Sequence, residues 1–595
     1  MKLIVPYIHE QREQESRLVH LAEFLGIDSE ALPLASSADP VAFLDEAVPG
    51  DCTCIALNPD VMKEWLGCDH LPVSLVKLLS SRFQHLLVYG LRSSAFHDAL
   101  VTALSNGKLE AVRSLNDGSY CYEMSRTGKP VCGAFAGISF GPVNPSNDHV
   151  LSISGECKDI EVLVSINRHP FMACSSLGSA TVWFVASRDV VDLQANIGSA
   201  PLAEYFSSFV PLAMALRYAA GEDCWRPNKN YACVVIDDPL LRKNYGFLNF
   251  DSLLKLCRQH NFHATIAFIP HNFARNSAKI TRMFRDNPER LSICFHGNDH
   301  TNAELATTDR EQIERMVAIA KDRIKRHQHI SGLACDNVMV FPQGKFSTEA
   351  MSVLKANNFD AAVNTTPHPY NAFTQLTIAE VAQPAVTRYE QFPLFLRRSA
   401  REIRQQDVAF NLFFGRPILI GEHHDRFKDP QPLLQLVDTI NTMAPEIKWC
   451  SIGAAVSQSV LMRKECANTY QVRAYSGRVQ ISTEAQTERK HVVHWGTAFR
   501  NDELEAVEVD GVRCDAEHGK AAVPQKVSLT VLPATSRTCT LIHQNSKMSV
   551  SEFNWRWTAR AFFRRRLSEF RDNYLSKSEF ALSTAKVFQR RFLRV

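Results

Sequence analysis

Tyr231-Ala232-Cys233-Val234-Val235-Ile236-Asp237-Asp238-Pro239 is an apolar run closed by two carboxylates and a proline. A short uncharged run rich in β-branched side chains and stopped by a turn signal reads as a buried strand. On an ideal strand Asp237 and Asp238 would point to opposite faces. Pro239 forces an extended or turned geometry on the residue before it, which lets both carboxylates reach one point. Two later segments share this form. Leu291-Ser292-Ile293-Cys294-Phe295 leads into His296-Gly297-Asn298-Asp299-His300, and Pro417-Ile418-Leu419-Ile420-Gly421 leads into Glu422-His423-His424-Asp425. Strand ends facing one way in a parallel α/β domain are where catalytic groups gather. Carboxylates and imidazoles on such ends point to a metal-dependent hydrolase.

Around these segments, 229–460 alternates strand and helix patterns. Strand candidates fall at 231–237, 263–269, 291–296, 338–341, 360–363, 392–396 and 417–421, with helices near 250–260, 275–285, 309–326 and 347–356 between them. Seven such strands predict a barrel or deformed (β/α) barrel; an open doubly wound sheet uses the same pattern. Residues 1–225 also mix strands and helices and predict an N-terminal α/β unit, Rossmann-like in its first 125 residues. No GxGxxG follows its strands, so a dinucleotide site is not supported. Period-2 runs such as 470–475 and 527–531 predict a β-sandwich over 465–545.

The chemistry follows from residue type. Asp238, His296 and His300 make a His₂Asp set that suits zinc and its neighbours. A bound water would become acidic enough to attack near neutral pH, with Asp237 accepting its proton. A histidine on another strand end would protonate the leaving amine.

These residues resemble the polysaccharide deacetylases of carbohydrate esterase family 4, the NodB-homology domain. The family's Asp-Asp pair appears as Asp237-Asp238, which implies Asp237 as base and Asp238 as metal ligand. Its His-x-x-x-His appears as His296 and His300, implied ligands. Its Arg-x-x-Pro loop appears as Met339-Val340-Phe341-Pro342, followed by Gln343-Gly344. That loop implies Phe341, Pro342 and Gly344 at the substrate. Its closing Leu-x-His falls within 419–424, so His423 or His424 is the implied acid. The resemblance covers roughly 230–460, with the motifs in the family's order. Met339 stands where the family has the arginine that holds the base, and Arg397 or Arg398 is the candidate substitute. The family's Asp and Trp that tune the last histidine have no match. The implied function is removal of an N-acetyl (N-acyl) group from an amino sugar of a polysaccharide or glycan precursor, with a divalent metal, zinc by preference. The missing arginine supports an alternative: an inactive scaffold that binds glycan or lipid carrier.

With 595 residues, 45% hydrophobic and 22% charged, the chain is long enough for several cores. The formal charge of +3 names no partner, but it is uneven. Residues 551–595 hold eleven Arg and Lys against four Asp and Glu, a net of +7, leaving −4 on the rest. In the tail, 550–595, Trp555, Phe562, Phe563, Leu567, Phe570 and Tyr574 recur at roughly helical spacing among Arg564, Arg565, Arg566, Arg571, Arg590, Arg591 and Arg594. Such a helix either packs its apolar stripe on the body with arginines solvated, or lies on an anionic membrane. Nucleic acid is not expected, since no recognised binding fold accompanies the charge. The 16 cysteines are scattered, and Cys52-Thr53-Cys54 lacks the spacing of zinc ribbons. No signal-peptide pattern and no membrane-spanning run is legible, so the expected place is the cytoplasm, peripheral to the inner membrane face. Gly137-Ile138-Ser139-Phe140-Gly141 matches a nucleophile elbow but is followed by Pro142, where the elbow needs a helix. His9, His85 and His97 have no partners at ligand spacing.

Overall fold

A computed structural model describes residues 1–8, 12–34, 39–50, 52–116, 118–155, 159–301, 303–372, 374–483, 486–495, 504–514, 526–543 and 555–574. His9 and the tail arginines Arg590, Arg591 and Arg594 lie outside them.

The seven central strands close on themselves. Tyr231–Asp237, Ala264–Phe268, Leu291–His296, Asp336–Val340, Ala361–Asn364, Leu394–Arg398 and Ile418–His423 pair in that order, all parallel. The first strand bonds both the second and the seventh, so the ring is a barrel rather than an open sheet. Intervening helices start where their caps are written: Asn249 accepts from Ser252 N at 2.9 Å, Asp309 from Gln312 N at 3.0 Å, and Ser347 from Ala350 N at 3.1 Å. Period-2 alternation splits each strand between two cores. Val234, Ile236, Ile266, Ile293, Ile418 and Ile420 join the core under the helices. Cys233, Val235, Ala267, Cys294, Val340, Val363, Phe395 and Leu419 fill the barrel interior. Continuing the inward phase past this apolar stack brings Asp237, His296, Arg397 and His423 to the mouth formed by the strand ends.

The N-terminal unit is a nine-stranded sheet. Asp28–Pro33, Lys2–Tyr7, Cys54–Leu57, His85–Val88 and Ala180–Val185 run parallel in that spatial order. His169–Leu177, Glu161–Ile166, Tyr122–Met124 and Ser139–Phe140 extend it antiparallel. The first strand therefore sits between the second and third, the order reversal where α/β sheets open a crevice. A cleft of about 700 Å³ lies there, lined by Gln14, Asp60, Lys63, Gly90 and Arg92 among others. Ser139 is exposed on a two-residue strand with no helix after it, so no nucleophile elbow forms. His97 is buried and bonds Asp60 at 3.1 Å, and the Trp183 indole nitrogen donates to the His85 ring at 3.5 Å.

Helix Phe206–Ala220 joins this unit to the barrel and is buried along most of its length. Phe209 stacks on Phe414 at 4.8 Å, and Phe135 meets Phe410 and Phe413 edge-on. The buried Arg217 guanidinium donates to the Phe413 carbonyl and lies 4.4 Å from that ring. One hydrophobic core thus runs from the N-terminal sheet into the barrel's outer layer.

Beyond the barrel, one sheet of five strands and one of four face each other as a β-sandwich. Val472, Val493 and Leu529 from the first meet Val479, Val507 and Leu541 from the second. The five-stranded sheet takes its edge from Arg226–Pro227, far upstream.

Helix Trp555–Asn573 reverses the packing its sequence suggests. Phe562, Phe563, Leu567, Phe570 and Tyr574 face solvent, each 45–68% exposed. Arg565, Glu569 and Asp572, at i, i+4 and i+7, form the buried face. The partners of Glu569 and Asp572, given below, are polar groups of the barrel domain, and an apolar stripe has nothing to bury against there.

Phe414→Ala removes a ring shared by the two units and is expected to cost about 3–5 kcal/mol. Urea unfolding checks this as a lower midpoint at unchanged m-value.

Candidate active site

Asp237 ends the first barrel strand pointing inward. Its two oxygens accept from Arg397 Nη1 and Nη2 at 2.7 and 2.6 Å. Arg397, 4% exposed, comes from the sixth strand and crosses above Gly421 of the seventh. A Cβ at 421 would lie 3.0 Å from Arg397 Cδ, so the missing side chain is the room the arginine uses. Burial alone would raise the Asp237 pKa, but the Arg397 charge holds it below its ordinary value.

Asp238 follows at φ +81°, a conformation costly for a non-glycine residue, and this twist brings the second carboxylate to the same mouth. Its Oδ1 lies 3.5 Å from His296 Nε2 and 3.3 Å from His300 Nε2. Oδ2 bonds His423 Nε2 at 2.9 Å. The candidate ligand atoms of Asp238, His296 and His300 all lie within 4.8 Å of one another. Asp238, His423 and His424 make a second such group.

The residues fit a metal by three observations. Asp238 Oδ1 is buried with no hydrogen-bond partner. Ligands on one zinc-sized ion sit roughly 3–3.5 Å apart, given bonds near ~2.1 Å. His296 Nδ1 donates to the Val340 carbonyl at 3.0 Å, which turns Nε2 toward Asp238 as the nitrogen available to a cation.

The HxxxH loop is shaped by a residue not singled out in the sequence. Glu304 Oε1 accepts from Asn298 N at 2.9 Å and His300 N at 3.0 Å, and Oε2 from Asp299 N at 3.1 Å. Gly297, at φ +61°, has no room for a Cβ, which would lie 1.9 Å from Glu304 Oε1. Arg323 ties Asn298 and Asp299 from behind, and His271 bonds Asp299 at 3.1 Å. Met339 sits under the loop, its sulfur 3.3 Å from Gly297 N. Burial and neighbouring charge treat the two loop histidines differently. Burial disfavours the His296 imidazolium, but Asp237 and Asp238 outweigh it and raise the pKa. His300 is pushed down to about 4 by burial, with His296 and Arg565 adding to it.

The last two histidines take separate places. His423 faces inward, paired in register with Asp237, and its side chain is 39% exposed. Its Nδ1 bonds Asp425 at 3.0 Å. Burial opposes its charge, but the bonds to Asp238 and Asp425 prevail and raise its pKa to about 10. His424 is buried, packed edge-on against Tyr245 at 4.8 Å, with Nε2 3.5 Å from Asp572. Tyr245 Oη also donates to Asp572, at 3.1 Å, and Gly246 N donates to Asn573 at 2.9 Å. Glu569 takes a bidentate grip on Arg275. The C-terminal helix is thus part of the mouth, which no motif announced.

Two residues expected at the substrate sit away from the mouth. Phe341 is fully buried, stacked on Phe346 at 5.0 Å, and shapes the loop from inside the core. Arg398 has the outward phase of its strand and pairs with Asp407 at 3.0 Å, away from the mouth. Pro342 is buried beneath Gly297, and the Gly344 carbonyl accepts from Asn364 at 3.0 Å.

The raised His423 value fixes the sign of a pH dependence. Its bonds to Asp238 and Asp425 stabilise the fold fully below its ordinary pKa of ~6.5, and that contribution is lost as pH rises through about 10. Metal-free protein should therefore melt at progressively lower temperature across this window. Asp425→Asn should flatten the profile, as read by calorimetric scans at stepped pH.

Residues 244–362 match the family model for polysaccharide deacetylases. No curated protein sequence matches the chain significantly. Among solved structures, Agd3, described as a novel carbohydrate deacetylase, aligns over 91% of this chain and 98% of its own at 8% identity, with a TM-score of 0.49. A family 4 carbohydrate esterase from Streptomyces lividans, in complex with acetate, aligns over 38% of this chain and 92% of its own at 15% identity, TM-score 0.23. A family 4 acetyl xylan esterase from Clostridium thermocellum, with a cobalt ion, aligns over 37% and 86% at 15% identity, TM-score 0.23. The residues that match the polysaccharide deacetylase model, 244–362, carry the second, third and fourth strands of the seven-stranded barrel and the loop from His296 to His300.

Proposed function

We propose that this protein is a metal-dependent hydrolase that removes an N-acetyl or related N-acyl group from an amino sugar of a glycan or glycan precursor. The observation that carries the reading is the crowding of His296 and His300 around the orphaned Asp238 Oδ1, with Asp237 beside them. Asp238, His296 and His300 would hold a divalent ion, zinc by preference for this donor set. Bound there, such an ion polarises the amide carbonyl and acidifies water.

The chain's own groups do the proton work. Asp237, kept ionised and aimed by Arg397, takes the proton of the attacking water. His423 is the better placed acid. Its Nε2 lies at the site, bonded to Asp238 Oδ2, while Asp425 holds Nδ1, so it would give its Nε2 proton to the departing nitrogen as the tetrahedral centre collapses. His424 is buried against Tyr245 and acts as an anchor for the C-terminal helix. The Arg397–Asp237 pair supports an enzyme over an inactive scaffold, because the arginine missing at Met339 has a counterpart from another strand. Acetate release from N-acetylated oligosaccharides tests the reading. Asp237→Asn should lower it by about 10²–10⁴-fold with zinc still bound, while His300→Ala should lose zinc in calorimetry. Wild-type protein that binds zinc yet releases acetate from none of these substrates would falsify the enzyme and favour the scaffold.

The setting we propose is the cytoplasmic face of a membrane. Among the described residues no helix is long and apolar enough to cross one. The outward face of the C-terminal helix instead combines exposed Phe562, Phe563, Leu567 and Phe570 with Arg566 and Arg571, a composition suited to an anionic surface. Co-sedimentation with phosphatidylcholine vesicles, with and without phosphatidylserine, checks this. Binding should require the anionic lipid and weaken in Phe563→Ser/Leu567→Ser; identical recovery with both vesicles overturns it.

A further inference from the structure

Arg565 is out of place for a residue of a basic surface helix. It is 4% exposed, and its Nε and Nη2 are buried with no hydrogen-bond partner among the described residues. The other groups on the same helix face are already matched. Glu569 is engaged by Arg275, Asp572 by Arg571 and Tyr245, and the Asn573 side chain by the Gly246 backbone. None of these carboxylates is spent on Arg565. A buried guanidinium with two nitrogens unpartnered among the described residues is unfavourable, and guanidinium geometry matches the paired oxygens of phosphate or carboxylate.

Its position is set by the helix. Asp572 touches Tyr245 and lies against His424, Glu569 one turn back grips Arg275, and Arg565 lies one turn further along the same buried face. The Arg565 charge also bears on His300 and on Tyr245, in keeping with its place on the helix face that seats at the mouth. The local balance asks for an anion as well. Asp237 is neutralised by Arg397, and Asp238 is the carboxylate that faces the ligand histidines. A divalent ion on that set would leave the mouth positive, with Arg565 adding to it.

We propose that the C-terminal helix completes the substrate site and that Arg565 binds an anionic group, phosphate or carboxylate, carried by the N-acylated sugar. This rests on the deacetylase reading and narrows it to anionic glycans or sugar phosphates. It also gives the buried polar face a purpose that packing alone does not supply.

The test uses the full-length zinc-loaded protein and three substrates: N-acetylglucosamine, its 1-phosphate, and an N-acetylated disaccharide bearing a uronate. Acetate release by wild type should favour at least one anionic substrate over the neutral one by 10-fold or more. Arg565→Gln should lower kcat/KM on that substrate about 30-fold, mainly through KM, and Arg565→Lys should recover part of the loss. Which anionic substrate responds distinguishes phosphate from carboxylate. A second arm is independent of turnover: calorimetric binding of the 1-phosphate and the uronate disaccharide to Asp237→Asn, with and without Arg565→Gln, should show tighter binding where Arg565 is present. Equal rates on all three substrates, with Arg565→Gln and Arg565→Lys indistinguishable from wild type, overturn the proposal and leave the deacetylase reading standing. Anion binding that needs Arg565 without any acetate release supports the anion site and removes the enzyme reading.

Discussion

A guanidinium and a carboxylate brought together from strands 160 residues apart hold the mouth of this barrel in shape. Both oxygens of Asp237 are occupied by Arg397, and each keeps a lone pair for another proton. The pair is largely buried, so neither member is replaceable alone: a lone charge left in that setting costs about 3–5 kcal/mol. Everything nearby is built to leave space for it. Gly421 withholds a side chain, the interior below is lined with Cys233, Ala267, Cys294 and Ala361, and Asp238 twists away into a positive φ. Asp237 is therefore held in one orientation by the chain itself, the kind of preorganisation on which electrostatic catalysis relies.

The same economy explains how so many polar groups tolerate one another. Period-2 alternation carries apolar side chains up the inside of the barrel and then, at the strand ends, changes chemistry without changing phase. Asp237, His296, Arg397 and His423 are the next inward positions above Val235, Cys294, Phe395 and Gly421. The loop after His296 needs a separate support, because a sharp turn exposes amide hydrogens that burial would leave unmatched. Glu304 meets three of them with one carboxylate.

Much of this was legible in residues alone. Asp237-Asp238, His296 and His300, and the 423–424 pair each close an apolar run, and such runs mark the strands whose ends meet. Arg397 was visible only as one of two adjacent arginines, since strand phase separates it from Arg398 and phase depends on where the strand begins. Phe341 lies beside a motif proline, yet its burial against Phe346 depends on a loop whose path the spacing does not specify. The C-terminal helix was misleading in a different way. Its large apolar residues recur at helical spacing, which ordinarily marks the packed side. Here the packed side is Arg565, Glu569 and Asp572, because Arg275, which holds Glu569, and Tyr245 and His424, which meet Asp572, lie more than a hundred residues upstream. Polarity complementary to so distant a surface leaves no local trace.

That distance has a consequence for biogenesis. Chains leave the ribosome from the N-terminus at about 5–20 residues per second, and compact units form as they emerge. The barrel holds Asp237, Asp238, His296, His300 and Arg397 together with His423 once Asp425 is out. Its mouth stays uncovered while the whole β-sandwich is translated, and only then does the helix carrying Arg565 and Asp572 arrive to seat on Tyr245 and His424. Maturation of the site is thus a late event in synthesis, separated in time from the folding of the scaffold that bears it.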